Sequence, residues 1–341
     1  MLSKRCFVIF GLIGSLLLTA CGQTSQTPTT PPQVTLQAAT PSATPSVEPV
    51  GSTLRGVFEG ITPCSQLTRP LPQIPADTNC EQMIWKLTLQ QDALTGTPTT
   101  YILDSAYGTS LQGTNGLVGG GTPIAMEGKW AIVQGSNTDA DAVIYQLNPD
   151  TPESSVQFLQ ISEALLHILH KDQTLMVGNG AWAYTLNQTD NLDPITIDGL
   201  GSAPEGPTRP PMPPTPDGSA VFGVFEGRMR CHLMVLDFVN VAPFAGCAKI
   251  KWRLTLYQDQ LTKAPTRYHY MGTTTIHEGN WSILQGTPSD PNATVYQLQY
   301  GDAPSTITFL KVGEDHLYLL DPAKNLLVGD AFFSYTLSRK P

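Results

Sequence analysis

The side chains best suited to chemistry in this chain are its sulfur and imidazole groups. Met229, Cys231, His232 and Met234 fall within one six-residue window. His269 and Met271 stand two apart, on one face if residues 268–271 form a strand, and His277 follows closely. Thioether and imidazole suit monovalent copper, so His232, Met234, His269 and Met271 form the candidate metal set. Plain core or loop placement is the competing reading, because methionine also serves as a gap filler and the matching stretch of the first half has Ile102 and Asp104 instead.

The cysteines point to a different chemistry. Cys64 and Cys80 are 16 residues apart, and so are Cys231 and Cys247. Zinc ligands usually come in close pairs with two to four residues between them, and these do not. Two disulfides, Cys64 with Cys80 and Cys231 with Cys247, are expected, each worth roughly 3 kcal/mol by loop entropy. Catalytic patterns are missing in duplicate. No serine flanked by glycines, recurrent His with Asp, or pair of carboxylates occurs twice, so the chain reads as a non-enzyme. Glu59 and Glu226 recur beside Gly60 and Gly227 at the expected end of a first strand, where a turn-anchoring hydrogen bond explains them. His167 and His170 lie in or beside a late strand and read as surface residues.

What must position these residues is a domain written twice. Gly56-Val57-Phe58-Glu59-Gly60 returns as Gly223-Val224-Phe225-Glu226-Gly227, and a shift of 167 carries Trp85, Gln91, Asp92 and Tyr101 onto Trp252, Gln258, Asp259 and Tyr268. From Trp130 onward the shift is 151, giving Trp281, then Tyr296 for Tyr145 and Tyr335 for Tyr184. The difference is an extra glycine-rich stretch over 108–121 in the first copy, which reads as a flexible hairpin insertion because no helix follows to make it a phosphate cradle.

Each copy alternates apolar and polar residues, as in Trp85-Lys86-Leu87-Thr88-Leu89, with turn clusters every eight to twelve residues or so and no helical period. Sequential short strands imply an antiparallel meander, closed to remove its edges. The expected fold is all-β, two tandem small antiparallel lipocalin-like barrels of about eight strands each, with Trp130, Trp182, Phe333 and Tyr335 pointing inward. The copies occupy residues 53–188 and 219–341, separated by a proline-rich linker over 189–218. Each is long enough for its own core, so two independent domains follow.

The amino-terminus places the protein outside the cytoplasm. Lys4 and Arg5 precede an apolar run from Phe7 to Leu18, and small residues lead into Cys21, the pattern of a lipoprotein signal over 1–20 with Cys21 as the acylated first residue. Residues 21–52, rich in Thr, Pro and Ser, form a flexible tether spanning roughly 30 Å as a coil. The net charge of −9 becomes −11 when Lys4 and Arg5 leave with the signal, and no basic stripe exists. Nucleic acid is excluded as a partner on that ground, and the membrane is engaged through the anchor.

The Gly-Val-Phe-Glu-Gly strand, Pro63-Cys64, a second cysteine, the strand Thr100-Tyr101-Ile102-Leu103, a Gly-x-Trp strand and Leu317-Tyr318-Leu319-Leu320-Asp321 together resemble the N-terminal domain of the NlpE family. The resemblance covers 54–188 and 221–339 and implies a lipid-anchored barrel that serves copper resistance or the sensing of envelope stress through a protein partner. That family's two cysteines lie two residues apart, whereas fifteen separate each pair here, and its different second domain is replaced by a second copy of the first. Two other functions fit the same chain. One is a carrier holding a small apolar ligand inside a hollow barrel, and the other is a surface adhesion or spacer module.

Overall fold

The computed structural model describes residues 51–65, 68–136, 139–190, 213–242, 247–272, 275–301 and 305–341. Cys21, the signal, nearly all of the tether and residues 191–212 of the linker lie outside the described residues. Each copy closes into an antiparallel eight-stranded barrel. In the first, β1 (Ser52–Pro63), β2 (Gln82–Asp92), β3 (Pro98–Gly108), β4 (Thr122–Gln134), β5 (Val143–Leu147), β6 (Val156–Ser162), β7 (Leu165–Ile168) and β8 (Thr185–Gln188) pair in chain order, and β8 returns to β1. The second follows the same path through β9 (Ser219–Arg230), β10 (Lys249–Asp259), β11 (Pro265–Met271), β12 (Ile276–Gln285), β13 (Thr294–Tyr300), β14 (Ser305–Val312), β15 (His316–Leu320) and β16 (Thr336–Arg339).

Alternation builds these strands as expected. On β2, Trp85, Leu87 and Leu89 turn inward while Lys86 stays exposed, and the inward set packs with Phe58, Leu103, Trp130, Phe158 and Leu186. The second barrel is filled in the same way by Phe225, Trp252, Leu254, Tyr268, Phe309 and Leu337. The repeated glycine of the first strand has a steric cause. Where β8 crosses β1, a Cβ on Gly60 would come within 2.9 Å of the Thr185 carbonyl, and one on Gly227 within 2.8 Å of the Thr336 carbonyl. Glu59 therefore lies inside β1 and not at its end. It accepts a hydrogen bond from the Thr189 hydroxyl, and Glu226 faces Arg253 at 3.4 Å, so both carboxylates brace strands.

Both disulfides form, Cys64 with Cys80 and Cys231 with Cys247, with Cα atoms 5.2 and 5.9 Å apart. In the first barrel the bridged loop folds over one end, burying Leu71 and Ile74 in the same core that holds Met176. The second barrel fills that end differently. A short helix, α1 (Leu233–Phe238), absent from the sequence-based expectation, drives Phe238 onto Trp252 with the rings stacked 5.2 Å apart. The glycine-rich insertion is an ordered hairpin, pinned by the Ser110–Leu117 bridge and by Gln82 Nε2 donating to the Asn115 carbonyl.

The two barrels close separately yet share a buried contact. Trp182 and Phe333, expected inside, lie outside their barrels and stack on one another at 5.5 Å with 12° between planes. The strand that was to carry Trp182 inward begins only at Thr185. Before it, Asn179 Oδ1 accepts from the amides of Ala181 and Trp182, and this turn breaks the alternation. Since Phe333 is the counterpart of Trp182 under the shift of 151, a residue here touches its own equivalent. Thr185 and Thr336 do the same through their hydroxyls at 3.2 Å, and so do His167 and Tyr318 at 2.6 Å. The contact is a pseudo-two-fold one, an isologous interface within a single chain.

Candidate functional site

The interface holds the most unusual polar group of the molecule. His167 and His316 are both buried, with ring centroids 4.5 Å apart. Their Nε2 atoms lie 2.9 and 3.2 Å from one acceptor, the Met176 carbonyl, so both rings carry the proton on Nε2. The Tyr318 hydroxyl then donates to His167 Nδ1, while His316 Nδ1 meets no partner among the described residues. Burial holds His167 well below the ordinary imidazole range and pushes His316 down to about 4, so both are neutral at pH 7. Asn187 clamps the edge of the same contact, donating to the Asp330 carbonyl and accepting from the Gly329 amide, each at 2.9 Å. His167, read as a surface residue, is thus interior. Its outward position on β7 is covered by the second barrel.

The four soft ligands separate into two places. His232 caps α1, its Nδ1 accepting from the Met234 amide at 3.2 Å, with its ring against Tyr335. His269 and Met271 share one face of β11, as expected, but the Nε2 atom of His269 faces Glu278 at 3.4 Å and its Nδ1 meets the Tyr257 hydroxyl at 3.2 Å. Met271 sits opposite Arg253, which sits opposite Glu226, while His232 lies past the end of β9, at the start of α1, whose Phe238 turns back to within 5.3 Å of Tyr270 on β11. His269 is thus engaged by Glu278 and Tyr257, and His232 by the first turn of α1. Among the described residues no group of three or more His, Cys, Asp or Glu side chains is placed to hold a metal ion.

A cleft of about 850 Å³ opens on the first barrel, between the disulfide-bridged loop and the turns that follow β5 and β7. Val156, Leu169 and Met176 form its buried floor with Pro70, and the exposed Pro72 and Pro152 its rim. Polar groups converge on it. Arg69 is held by the carbonyls of Ala76 and Thr78 at 3.0 and 2.8 Å, which leaves its buried Nε without a partner. Gln157 Oε1 is also buried and unpartnered. Gln146 is oriented by Ser155, and Asp172, its carboxyl held below the usual range by the Thr174 hydroxyl and amide, shapes the turn that presents His170 and Lys171 to solvent. Donors and one acceptor over an apolar floor suit a polar or anionic ligand with an apolar side. Sequence reading passed over this site, since its residues come from three turns distant in sequence and form no motif.

Among the described residues the second barrel differs at positions that line or flank the cleft. His170 and Lys171 correspond to Asp321 and Pro322, and Gln157 to Thr308. No protein-family model matches the chain, and comparison with curated proteins and with solved structures returned no match.

Proposed function

We propose that the chain is a non-catalytic, lipid-tethered binding or sensing module of the bacterial envelope, of the kind its resemblance to the NlpE N-terminal domain implies. The cleft of the first barrel is its ligand or partner surface. One observation carries the reading: unpartnered buried polar atoms and exposed His170 and Lys171 converge on a large cleft of the first copy, where the second copy has Thr308, Asp321 and Pro322 in place of Gln157, His170 and Lys171. The proposal rests on the cleft and routes no step through copper. The carrier reading is the weaker one, since inward side chains pack both barrels.

The test is genetic. Overproduction of the full chain in its own host should raise transcription of envelope-stress genes, and His170→Ala with Lys171→Glu should abolish the response at equal protein level. A response indifferent to both substitutions removes the cleft from the account, and no response to the wild-type chain removes the sensing role.

A further inference from the structure

The hairpin tip between β2 and β3 displays Leu94 at 96 % exposure, and its counterpart between β10 and β11 displays Leu261 at 91 %. The two turns are built alike. Asp92 Oδ1 accepts from the Leu94 amide, the Thr95 amide and the Thr95 hydroxyl at 3.0, 2.8 and 2.9 Å. Asp259 does the same for Leu261 and Thr262 at 2.9, 2.7 and 3.0 Å. Between the copies the other turn positions have drifted, Ala93 to Gln260, Gly96 to Lys263 and Thr97 to Ala264. Three residues were kept. Asp and Thr build the turn, whereas Leu touches nothing that would stabilise it. Two further pairs of exposed aliphatics recur with it, Leu54 with Val221 and Ile132 with Ile283.

Register brings these residues to one end of each barrel. Asp92 pairs with Ser52 at the start of β1, two residues before Leu54. Thr100 of β3 pairs with Lys129, so Ile132 runs on past the start of β3 toward the same tip. The chain also enters here, because the Ala93 amide donates to the Gly51 carbonyl at 2.8 Å. The chain from the expected anchor at Cys21 therefore joins the first barrel beside Leu94. Exposed acids at this end, Asp139, Asp141, Glu163 and Asp190, disfavour an anionic surface.

We infer that the Leu94 end of the first barrel is a membrane-docking surface, which rests on a neutral lipid face with Leu94 inserted and Leu54 and Ile132 at the contact. This rests on the reading of the chain as tethered through Cys21, which keeps the tip near lipid so that a few aliphatic side chains suffice. The probe is a fluorophore on Thr95→Cys in the full chain, anchored in phosphatidylcholine vesicles that carry a nitroxide high in the acyl chain, with Asp77→Cys in the disulfide-bridged loop at the other end as control. Quenching at residue 95 should exceed that at residue 77 several-fold. It should fall to the control level when Leu94→Ser is added, and weaken when phosphatidylglycerol replaces part of the lipid. Equal quenching at the two positions overturns the inference. A chain that incorporates no palmitate and stays in the aqueous phase overturns the tether instead. The surface is then decided with the mature chain held on nickel-chelating lipid through a histidine tag in place of residues 1–20, where selective quenching at residue 95 sustains docking and its absence refutes it.

Discussion

His316 has no partner on Nδ1 and shares its acceptor with His167, so neither ring can take a second proton without leaving a charge buried. The groups that face them are the Tyr318 and Thr185 hydroxyls and the Met176 and Val312 carbonyls, with His170 and Asp315 as the nearby titratable side chains. Because the folded values lie below the ordinary 6.5, the contribution to stability is complete above pH 6.5 and is lost as the pH falls toward about 4, where His316 titrates. The loss from His316 reaches about 3 kcal/mol across that window. Urea unfolding at pH 7, 5.5 and 4.5 should show it, and His316→Gln should flatten the dependence; identical slopes for both proteins would contradict the assignment. Gly60→Ala makes a second test at this scale. Its methyl group has no room against the Thr185 carbonyl, and a cost of about 1–3 kcal/mol in urea is expected. Single residues were legible where chemistry constrained them. The cysteine pairs and inward Trp130 follow from spacing and alternation, but an outward histidine that a second barrel will cover looks the same in sequence as one left in water.

At the scale of elements, the strands were legible because period-two alternation survives in both copies. What escaped were the segments that obey no period: the turn at Asn179, the helix α1 and the three turns around the cleft. The disulfide-bridged loop joins staple to site, since the same loop that Cys64 and Cys80 close supplies Arg69, Pro70 and Pro72 to the cleft. Cys64→Ser with Cys80→Ser should therefore cost roughly 3 kcal/mol. It should also raise amide exchange over 68–79 and in the turn after β7, whose Met176 shares one buried core with Leu71 and Ile74. The equivalent change at Cys231 and Cys247 should cost a similar amount and leave exchange around the cleft unaltered. Equal effects of both double substitutions on the first barrel would sever that link.

For the whole molecule, duplication did more than supply two scaffolds. Each barrel closes on itself, yet Trp182 with Phe333, Thr185 with Thr336 and His167 with Tyr318 join equivalent positions across one pseudo-two-fold contact. An outward face on β7 and β8 that the sequence marks only as partly apolar becomes interior once its own copy covers it. The copies were then free to differ elsewhere, and the cleft of the first and the α1 plug of the second are such differences. Scanning calorimetry of the full chain near pH 7 tests the docked pair most directly. A single transition is predicted for the wild type, and Trp182→Ala should lower stability by about 3 kcal/mol and split the trace into two barrel transitions. Two transitions in the wild type, neither moved by Trp182→Ala, would contradict it.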